Sequence, residues 1–220
     1  MNSNIKSLII DFHDSLYNDN NHRYKSWEHC FSFYKSNNIE NNIDKACLHL
    51  AFYLASWGMY RGSSFLLWKD YKIHIDVVKK IISKKEIQEL DINMITDKEL
   101  NDILSLSSWI KNWYKNNINS INGKLKKVNV TDTLVTKILL GTLGCIPAYD
   151  RYFIDGMRAS GIKYSKLSLS NFRNIVAFYK THIQEFNEAN NIILEKSNIE
   201  YPPMKLLDMY FWEIGAKNDN

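Results

Sequence analysis

The chain has 220 residues, of which 45% are hydrophobic and 24% are charged, a balance that is ordinary for a globular protein. A chain of this length can bury a core that folds without disulfide bonds. Its three cysteines are widely spaced and form no CxxC pair, and no secretory signal opens the sequence. We therefore expect reduced thiols and a cytoplasmic location, and no zinc site. The net charge of +4 is too mild to indicate a nucleic-acid partner by itself.

Helical periodicity dominates the sequence. Only 8 glycines and 3 prolines occur, so few positions interrupt regular structure. Apolar residues recur at spacings of three and four, and the alternation typical of strands is nowhere convincing. We predict an all-α protein, a compact multi-helix domain of about seven to nine helices. It is expected to fill residues 1–220 as one domain, with possible lobes at 1–95 and 96–220.

The N-terminal stretch becomes polar after a short apolar run at residues 8–10, so we expect it to wrap the surface. Its histidines and acids match no compact metal-ligand pattern, and surface or capping roles are favoured for His13, His22, His29, Asp11 and Asp14. No metal and no cofactor is expected. A helix is predicted from Tyr24 to Ser36, where aromatic residues recur at helical intervals.

The second landmark begins at Asp44. Between Lys45 and Lys69 the only charged residue is Arg61, yet the segment is too polar to span a membrane. We predict a buried helix from 44 to 68 at the centre of the domain. On a helical wheel one face presents an aromatic wall with one cation, suited to stacking a base, and the candidate ligand-binding residues there are Trp57, Tyr60, Arg61 and Trp68. Arg61 is expected to be buried against a carboxylate or to line a pocket; the alternative is that it reaches the surface past packed aromatics.

A basic segment follows a predicted helix that begins at Thr96. No acidic residue occurs between Asp102 and Asp132, whereas several lysines do, interleaved with aromatic residues. Lysines can neutralise phosphates and flat rings can stack on bases, so Lys124, Lys126 and Lys127 are candidate nucleic-acid-binding residues. The alternative is a solvated, lysine-rich helix end whose aromatic residues face the core.

The clearest start and stop signals lie in residues 131–153. Thr131 or Asp132 can cap a helix, and Gly144 can close it in the left-handed conformation. Pro147 then forces a turn. Asp150 follows where the next helix would begin, which places a carboxylate at a helix N-terminus. Further helices are predicted from Ser168 or Ser170 and after Pro202–Pro203.

The run DTLVTKILLGTLGCIPAYDRYF resembles the second half of the helix-hairpin-helix module in DNA glycosylases of the 8-oxoguanine type. The resemblance implies a helix-hairpin-helix-like element with Asp150 as the catalytic aspartate and Thr136-Lys137 in the second helix of the module. Lys137 is thus a second catalytic candidate, and Tyr149 and Arg151, beside Asp150, are candidate binding residues. Two features differ from the family. KKVNVTDTLV replaces the glycine-rich hairpin, and Pro147 stands three residues before the aspartate instead of two. No pattern selects a nucleophilic lysine among Lys124, Lys126 and Lys127.

Two hypotheses for function follow. In the first, the protein is an enzyme on nucleic acid or nucleobases, related to DNA glycosylases and thus a hydrolase or lyase. A flipped base would lie against rings such as Trp57 or Trp68, while Asp150 stabilises positive charge on the sugar or activates an attacking group. In the second, the protein is a non-catalytic helical module that binds nucleic acid or another protein through the same surface. A membrane is not an expected partner.

Overall fold

The structure, a computed structural model, describes residues 4–36, 38–164 and 166–218. The all-α prediction is confirmed, and ten α-helices occur in these ranges, slightly more than expected. They are α1 (Ile5–Tyr17), α2 (Ser26–Lys35), α3 (Ile43–Ser56), α4 (Ile75–Ile82), α5 (Asp97–Asn117), α6 (Asp132–Thr142), α7 (Arg151–Ala159), α8 (Leu169–Thr181), α9 (Ile183–Ser197) and α10 (Pro203–Lys217). Strands β1 (Ser120–Ile121) and β2 (Lys124–Leu125) form an antiparallel hairpin. Within the described ranges, no helix combines the length and the apolar character needed to cross a membrane.

Helix α6 lies at the centre of the fold. Nine of its 11 residues are buried, and α2, α3 and α5 pack around it. The absence of a side chain at Gly141 lets α3 approach closely, since a Cβ built there would lie 2.3 Å from the ring of Tyr53. On another side, the indole Nε1 of Trp27 donates to the Leu140 carbonyl at 3.1 Å. The stretch with the clearest helix signals in the sequence is therefore also the core of the molecule.

The prediction of one central helix from 44 to 68 is wrong. Helix α3 ends at Ser56, and Gly58 adopts the left-handed conformation (φ +78°), which turns the chain away from the helix axis. Only one face of α3 is buried, and Phe52 on the other face is 62% exposed. The nearly continuous apolar sequence predicts a helix that is buried on every face. Globular proteins, however, also expose single large apolar side chains.

The N-terminal stretch is also not an irregular surface segment. It forms α1, capped by Asn4, whose side chain accepts the Ser7 N–H at 3.1 Å. The helix packs on α9 and α10 and buries an apolar stripe. His13, expected at the surface, is fully buried and stacks on Tyr17 at 4.5 Å between ring centroids. Burial lowers the pKa of His13.

The predicted caps around α6 and α7 are confirmed. The Thr131 hydroxyl accepts the Leu134 N–H at 3.2 Å at the start of α6. Gly144 follows the end of that helix with φ +62°. Asp150 Oδ1 accepts the Phe153 N–H at 3.1 Å and so caps α7. Each of these signals depends on residues within one turn of each other, which is why the sequence could locate them.

A glycine seam joins α7 to α10, the most extensive helix pair in the described chain. A Cβ on Gly156 would lie 1.8 Å from the Phe211 carbonyl oxygen, and one on Gly215 would lie 1.9 Å from that of Tyr152. Backbone therefore packs directly on backbone along this seam. The position of Asp150, at the first turn of α7, is fixed by α10.

We predict that Gly156→Ala destabilises the protein by about 3 kcal/mol, because the added methyl group forces α7 and α10 apart. In a helix without such a contact, the same change would raise stability slightly. Gly62→Ala is the matched control. Gly62 has no atom near its virtual Cβ but has φ +57°, so the control should lose only about 1 kcal/mol from backbone strain. Equal losses in urea unfolding would contradict the tight seam.

A buried histidine predicts how stability depends on pH. His74 lies between the hydroxyls of Tyr60 and Tyr114, and burial lowers its pKa from 6.5 to about 3. The unfolded chain binds a proton near pH 6.5, whereas the folded chain does not. The contribution of His74 to the free energy of unfolding is therefore complete above pH 6.5. It is lost as the pH falls toward 3, by about 1.4 kcal/mol per pH unit. His74→Gln should show a shallower loss in unfolding experiments from pH 7 to 4; identical slopes would exclude His74 as the cause.

Candidate active site

The loop from Cys145 to Asp150, between α6 and α7, is held from both sides. From α6, the Thr133 hydroxyl donates to the Tyr149 carbonyl at 2.8 Å, and the Thr136 hydroxyl accepts the Tyr149 N–H at 2.9 Å. From α10, Asp208 Oδ1 accepts the Ala148 N–H at 3.0 Å. The backbone just before Asp150 is thus fixed by three side-chain hydrogen bonds, which makes it a rigid support for a reactive group.

The two residues predicted to be catalytic form a buried ion pair. Lys137 Nζ lies 3.1 Å from Asp150 Oδ2, and their side chains are 5% and 16% exposed. The ammonium group also donates to the Trp57 carbonyl oxygen at 3.2 Å. Because Oδ1 of Asp150 caps α7, the two oxygens of this carboxylate have different partners. The remaining exposure is on the aspartate, so a ligand would meet Asp150 before Lys137.

A second buried ion pair lies beside the first and was not predicted. Lys205 Nζ and Asp208 Oδ2, one turn apart on α10, are 3.1 Å apart, and their side chains are 2% and 4% exposed. Burial raises the pKa of Asp208 although Lys205 opposes the shift, and the negative charge of Asp150 raises it further. The two carboxylates therefore interact. The sequence signal was a lysine and an aspartate three residues apart in the first half of α10, where the other residues are apolar.

Trp57 connects the two ion pairs. Lys205 Nζ lies 4.8 Å from the centre of its ring, and Lys137 Nζ lies 5.5 Å away. Tyr24 stacks on the same indole with ring centroids 4.3 Å apart. The buried Trp57 Nε1–H has no hydrogen-bond acceptor among the residues that the structure describes. A donor without an acceptor in this position is costly, and an acceptor atom on a ligand would satisfy it.

Half-buried rings and exposed arginines surround this centre. Trp212 contacts Tyr152 at 5.2 Å and Tyr24 at 6.5 Å between ring centroids. The exposed guanidinium groups of Arg23 and Arg151 lie 4.7 Å and 4.6 Å from the centres of the Tyr24 and Tyr152 rings. These five residues form the rim of the candidate site, which therefore offers aromatic surface together with positive charge. Neither Arg23 nor Trp212 was predicted, since both lie far from residues 131–153 in sequence.

Arg61 is exposed, so the prediction that it is buried is wrong. Its side chain extends across Gly58, where a virtual Cβ would lie 3.2 Å from Nε, and this agrees with the alternative that it reaches the surface. Trp68 is 52% exposed on a separate 3₁₀ turn, and the Tyr60 hydroxyl hydrogen-bonds His74 at 2.9 Å. The predicted aromatic face does not form, because α3 ends before these residues.

The remaining binding candidates divide into buried and exposed ones. Tyr149 is 1% exposed, and its hydroxyl donates to Asn171 at 2.9 Å, so it belongs to the core and its predicted direct contact with a ligand is wrong. In the basic segment, Tyr114 is buried and Trp113 is half-buried, which agrees with the alternative that the aromatic residues face the core. The exposed lysines lie on and after β2: Lys124, Lys126 and Lys127.

The helix-hairpin-helix element is not confirmed. The connection from Ile118 to Thr131 holds the β-hairpin in place of a short glycine-rich turn between α5 and α6. No protein-family model matches the chain, and neither a curated protein nor a solved structure gives a significant match.

The buried ion pair determines how the substitution Asp150→Asn should affect stability. The asparagine can still cap α7, but the ammonium group of Lys137 would remain buried without its counter-charge. We predict a loss of about 3 kcal/mol in the free energy of unfolding. The double variant Lys137→Met/Asp150→Asn removes both charges and should recover most of that loss. If Asp150→Asn alone unfolds at the same urea concentration as the parent, the pair contributes nothing to stability.

Proposed function

We propose that this protein is a nucleic-acid-binding enzyme that hydrolyses N-glycosidic bonds, in the manner of a DNA glycosylase, with Asp150 at its reactive centre. The observation that carries the proposal is the Lys137–Asp150 ion pair, partly open on the aspartate side at the N-terminus of α7. It supports the interpretation derived from the resemblance of residues 131–153, because the two residues carried over from that family lie in contact.

The chemistry needs a negative charge close to the sugar. As the bond between the base and C1′ breaks, the base leaves with the bonding electron pair and positive charge develops on the sugar. The carboxylate of Asp150 can stabilise that charge, or it can accept a proton from the water whose oxygen bonds to C1′. The proton from water finally balances the charge of the departing base. Lys137 holds the carboxylate in position throughout.

The surroundings suit a flipped base with its phosphates. The half-buried ring of Trp212, next to Tyr24 and Tyr152, offers aromatic surface against which a base can pack. The two arginines at the rim, Arg23 and Arg151, are exposed residues and can contact phosphate oxygens.

A second candidate is a binding module without catalytic activity. Both oxygens of Asp150 already have partners, the Phe153 N–H and Lys137 Nζ, as expected for a purely structural aspartate. In this case the rings and arginines would hold nucleic acid or a protein, and no bond would break. The two candidates differ in the consequence of removing the charge from Asp150.

We predict that the parent protein releases a base from at least one duplex in a panel of oligonucleotides that carry oxidised, alkylated or deaminated bases. Asp150→Asn should lose about a hundredfold or more in the single-turnover rate, as expected when one electrostatic contact to the transition state is removed. The double variant Lys137→Met/Asp150→Asn is the control for folding, because it should be stable and equally inactive.

Borohydride trapping distinguishes attack on C1′ by water from attack on C1′ by a lysine side chain. If water attacks C1′, no covalent adduct with the oligonucleotide forms. An adduct that disappears in Lys137→Met would instead identify Lys137 as the nucleophile, released from its carboxylate partner. If the parent releases no base from the whole panel and yet binds the oligonucleotides, the binding module is the correct interpretation.

A further inference from the structure

The β-hairpin between α5 and α6 projects a defined tip. Its two central residues, Asn122 and Gly123, have φ values of 50° and 73°, the pair of left-handed residues typical of a type I′ turn. Ser120 pairs with Leu125, and the Lys126 N–H donates to the Asn119 carbonyl at 2.9 Å. The left-handed turn residues fix the twist of this hairpin, and the pairing of β1 with β2 fixes its register.

The base of the hairpin is anchored in the core. Ile118 before β1 and Val128 and Val130 after β2 are 3%, 5% and 1% exposed. From residue 122 to residue 127, in contrast, every residue is exposed. Leu125 is 89% exposed, the most exposed large apolar side chain among the described residues. The hairpin therefore holds an apolar side chain out in water at a fixed position, although nothing in its own packing requires a leucine there.

Three lysines lie next to this leucine along the chain. Lys124 and Lys126 are its immediate neighbours in sequence, and Lys127 follows on the same side of the turn. All three are exposed, and the chain has no acidic residue between Asp102 and Asp132 that could neutralise them locally. An apolar group with cations on both sides of it along the chain fits a partner that combines flat apolar surfaces with regularly spaced negative charge.

We infer that the hairpin binds single-stranded or locally unpaired nucleic acid, with Leu125 packed against an unstacked base and the three lysines on the flanking phosphates. Bases that are already unstacked expose their faces at no further cost, whereas fully paired DNA must first be opened to admit an apolar side chain. The inference shares only the class of partner with the proposed function and does not require chemistry at Asp150.

Two other partners fit the hairpin less well. A membrane surface attracts lysines, but stable insertion needs a larger apolar face than one leucine provides. A second copy of the chain would bring the same three lysines into proximity, and like charges would oppose the contact. Nucleic acid satisfies both features of the tip together.

The hairpin also lies within reach of the candidate active site. Asp132 is the sixth residue after Lys126, so the hairpin base is at most roughly 20 Å from the start of α6. The first turn of α6 carries Thr133, which hydrogen-bonds the Tyr149 carbonyl, one residue before Asp150. One strand of nucleic acid can therefore contact the hairpin and the arginines around Asp150.

Fluorescence anisotropy with labelled oligothymidylate, a paired duplex and the same duplex with one unpaired base tests the inference. Leu125→Ser should weaken binding to the first and third probes by about tenfold, since one buried leucine is lost, and should leave the salt dependence unchanged. The triple variant Lys124→Ala/Lys126→Ala/Lys127→Ala should weaken binding to all probes and lower the slope of log affinity against log salt by about 2.

The matched control lies at the other end of α5. Met94 is 76% exposed and Lys98 is exposed, and the 21 residues of α5 place them about 30 Å from the hairpin. Met94→Ala/Lys98→Ala should change none of the three affinities. Asp150→Asn should retain the hairpin-dependent binding even if it abolishes base release, which separates this inference from the proposed function.

Three outcomes would overturn the inference. The first is an unchanged affinity of Leu125→Ser for oligothymidylate, which would mean that the leucine contacts no base. The second is leucine-dependent binding to vesicles with anionic headgroups in the absence of nucleic acid binding. The third is a concentration-dependent dimer, measured by sedimentation, that Leu125→Ser dissociates. Because Leu125 is exposed, the variant should fold like the parent, and a loss of binding cannot be attributed to unfolding.

Discussion

Two ion pairs lie in the interior of the described chain, Lys137–Asp150 and Lys205–Asp208, and the arrangement of α6, α10 and the loop between α6 and α7 depends on them. Removing an ion from water costs several kcal/mol, so each ammonium group must retain a counter-charge in the folded state. Lys137 has Asp150 and the Trp57 carbonyl, while Lys205 has Asp208 and the surrounding rings. A shift of the loop by a few ångströms would separate these partners. The fold therefore has little freedom to place Asp150 elsewhere.

The glycine seam between α7 and α10 adds a second constraint of a different kind. The ion pairs fix the loop before Asp150 by charge, whereas the backbone contact at Gly156 and Gly215 fixes the helix after it by shape. Asp150 stands at the junction of these two constraints. A carboxylate held in this way does not need to reorganise when charge develops beside it, which is the property that electrostatic catalysis requires. The same rigidity would serve a structural cap equally well, so rigidity alone does not distinguish the two functions.

The sequence predicted those parts of the structure that depend on neighbouring residues. The all-α class and the caps at Thr131, Gly144 and Asp150 follow from signals within a single turn of helix. A family resemblance singled out Lys137 and Asp150 as catalytic candidates, but their contact was not predicted, because periodicity alone does not bring one helix to the start of the next. Arg61 was misplaced for the opposite reason: a local apolar pattern was extended through Gly58, where the left-handed backbone ends the helical path.

The second ion pair illustrates what no local pattern can show. Lys205 and Asp208 are one turn apart, a spacing that occurs on countless exposed helix faces. What distinguishes them is their neighbourhood, since residues from α1, α2 and the end of α3 surround Lys205: Phe12, Trp27 and Trp57. Such a neighbourhood exists only after the chain has folded. The same is true of Arg23 and Trp212, which reach the rim of the candidate site from opposite ends of the sequence.

The pairing of Asp150 also limits the ligands that the centre can accept. A ligand with a negative group near Asp150 would compete with this carboxylate for Lys137 and would add to the repulsion that already raises the pKa of Asp208. Positive charge developing on a ligand has the opposite effect, since it would meet the exposed part of Asp150 with no need to displace Lys137. Exclusion of water by the surrounding rings strengthens both effects, because charges interact more strongly at low dielectric constant. These charges would thus favour a group that becomes cationic, and a sugar that loses its base, as we propose, is such a group.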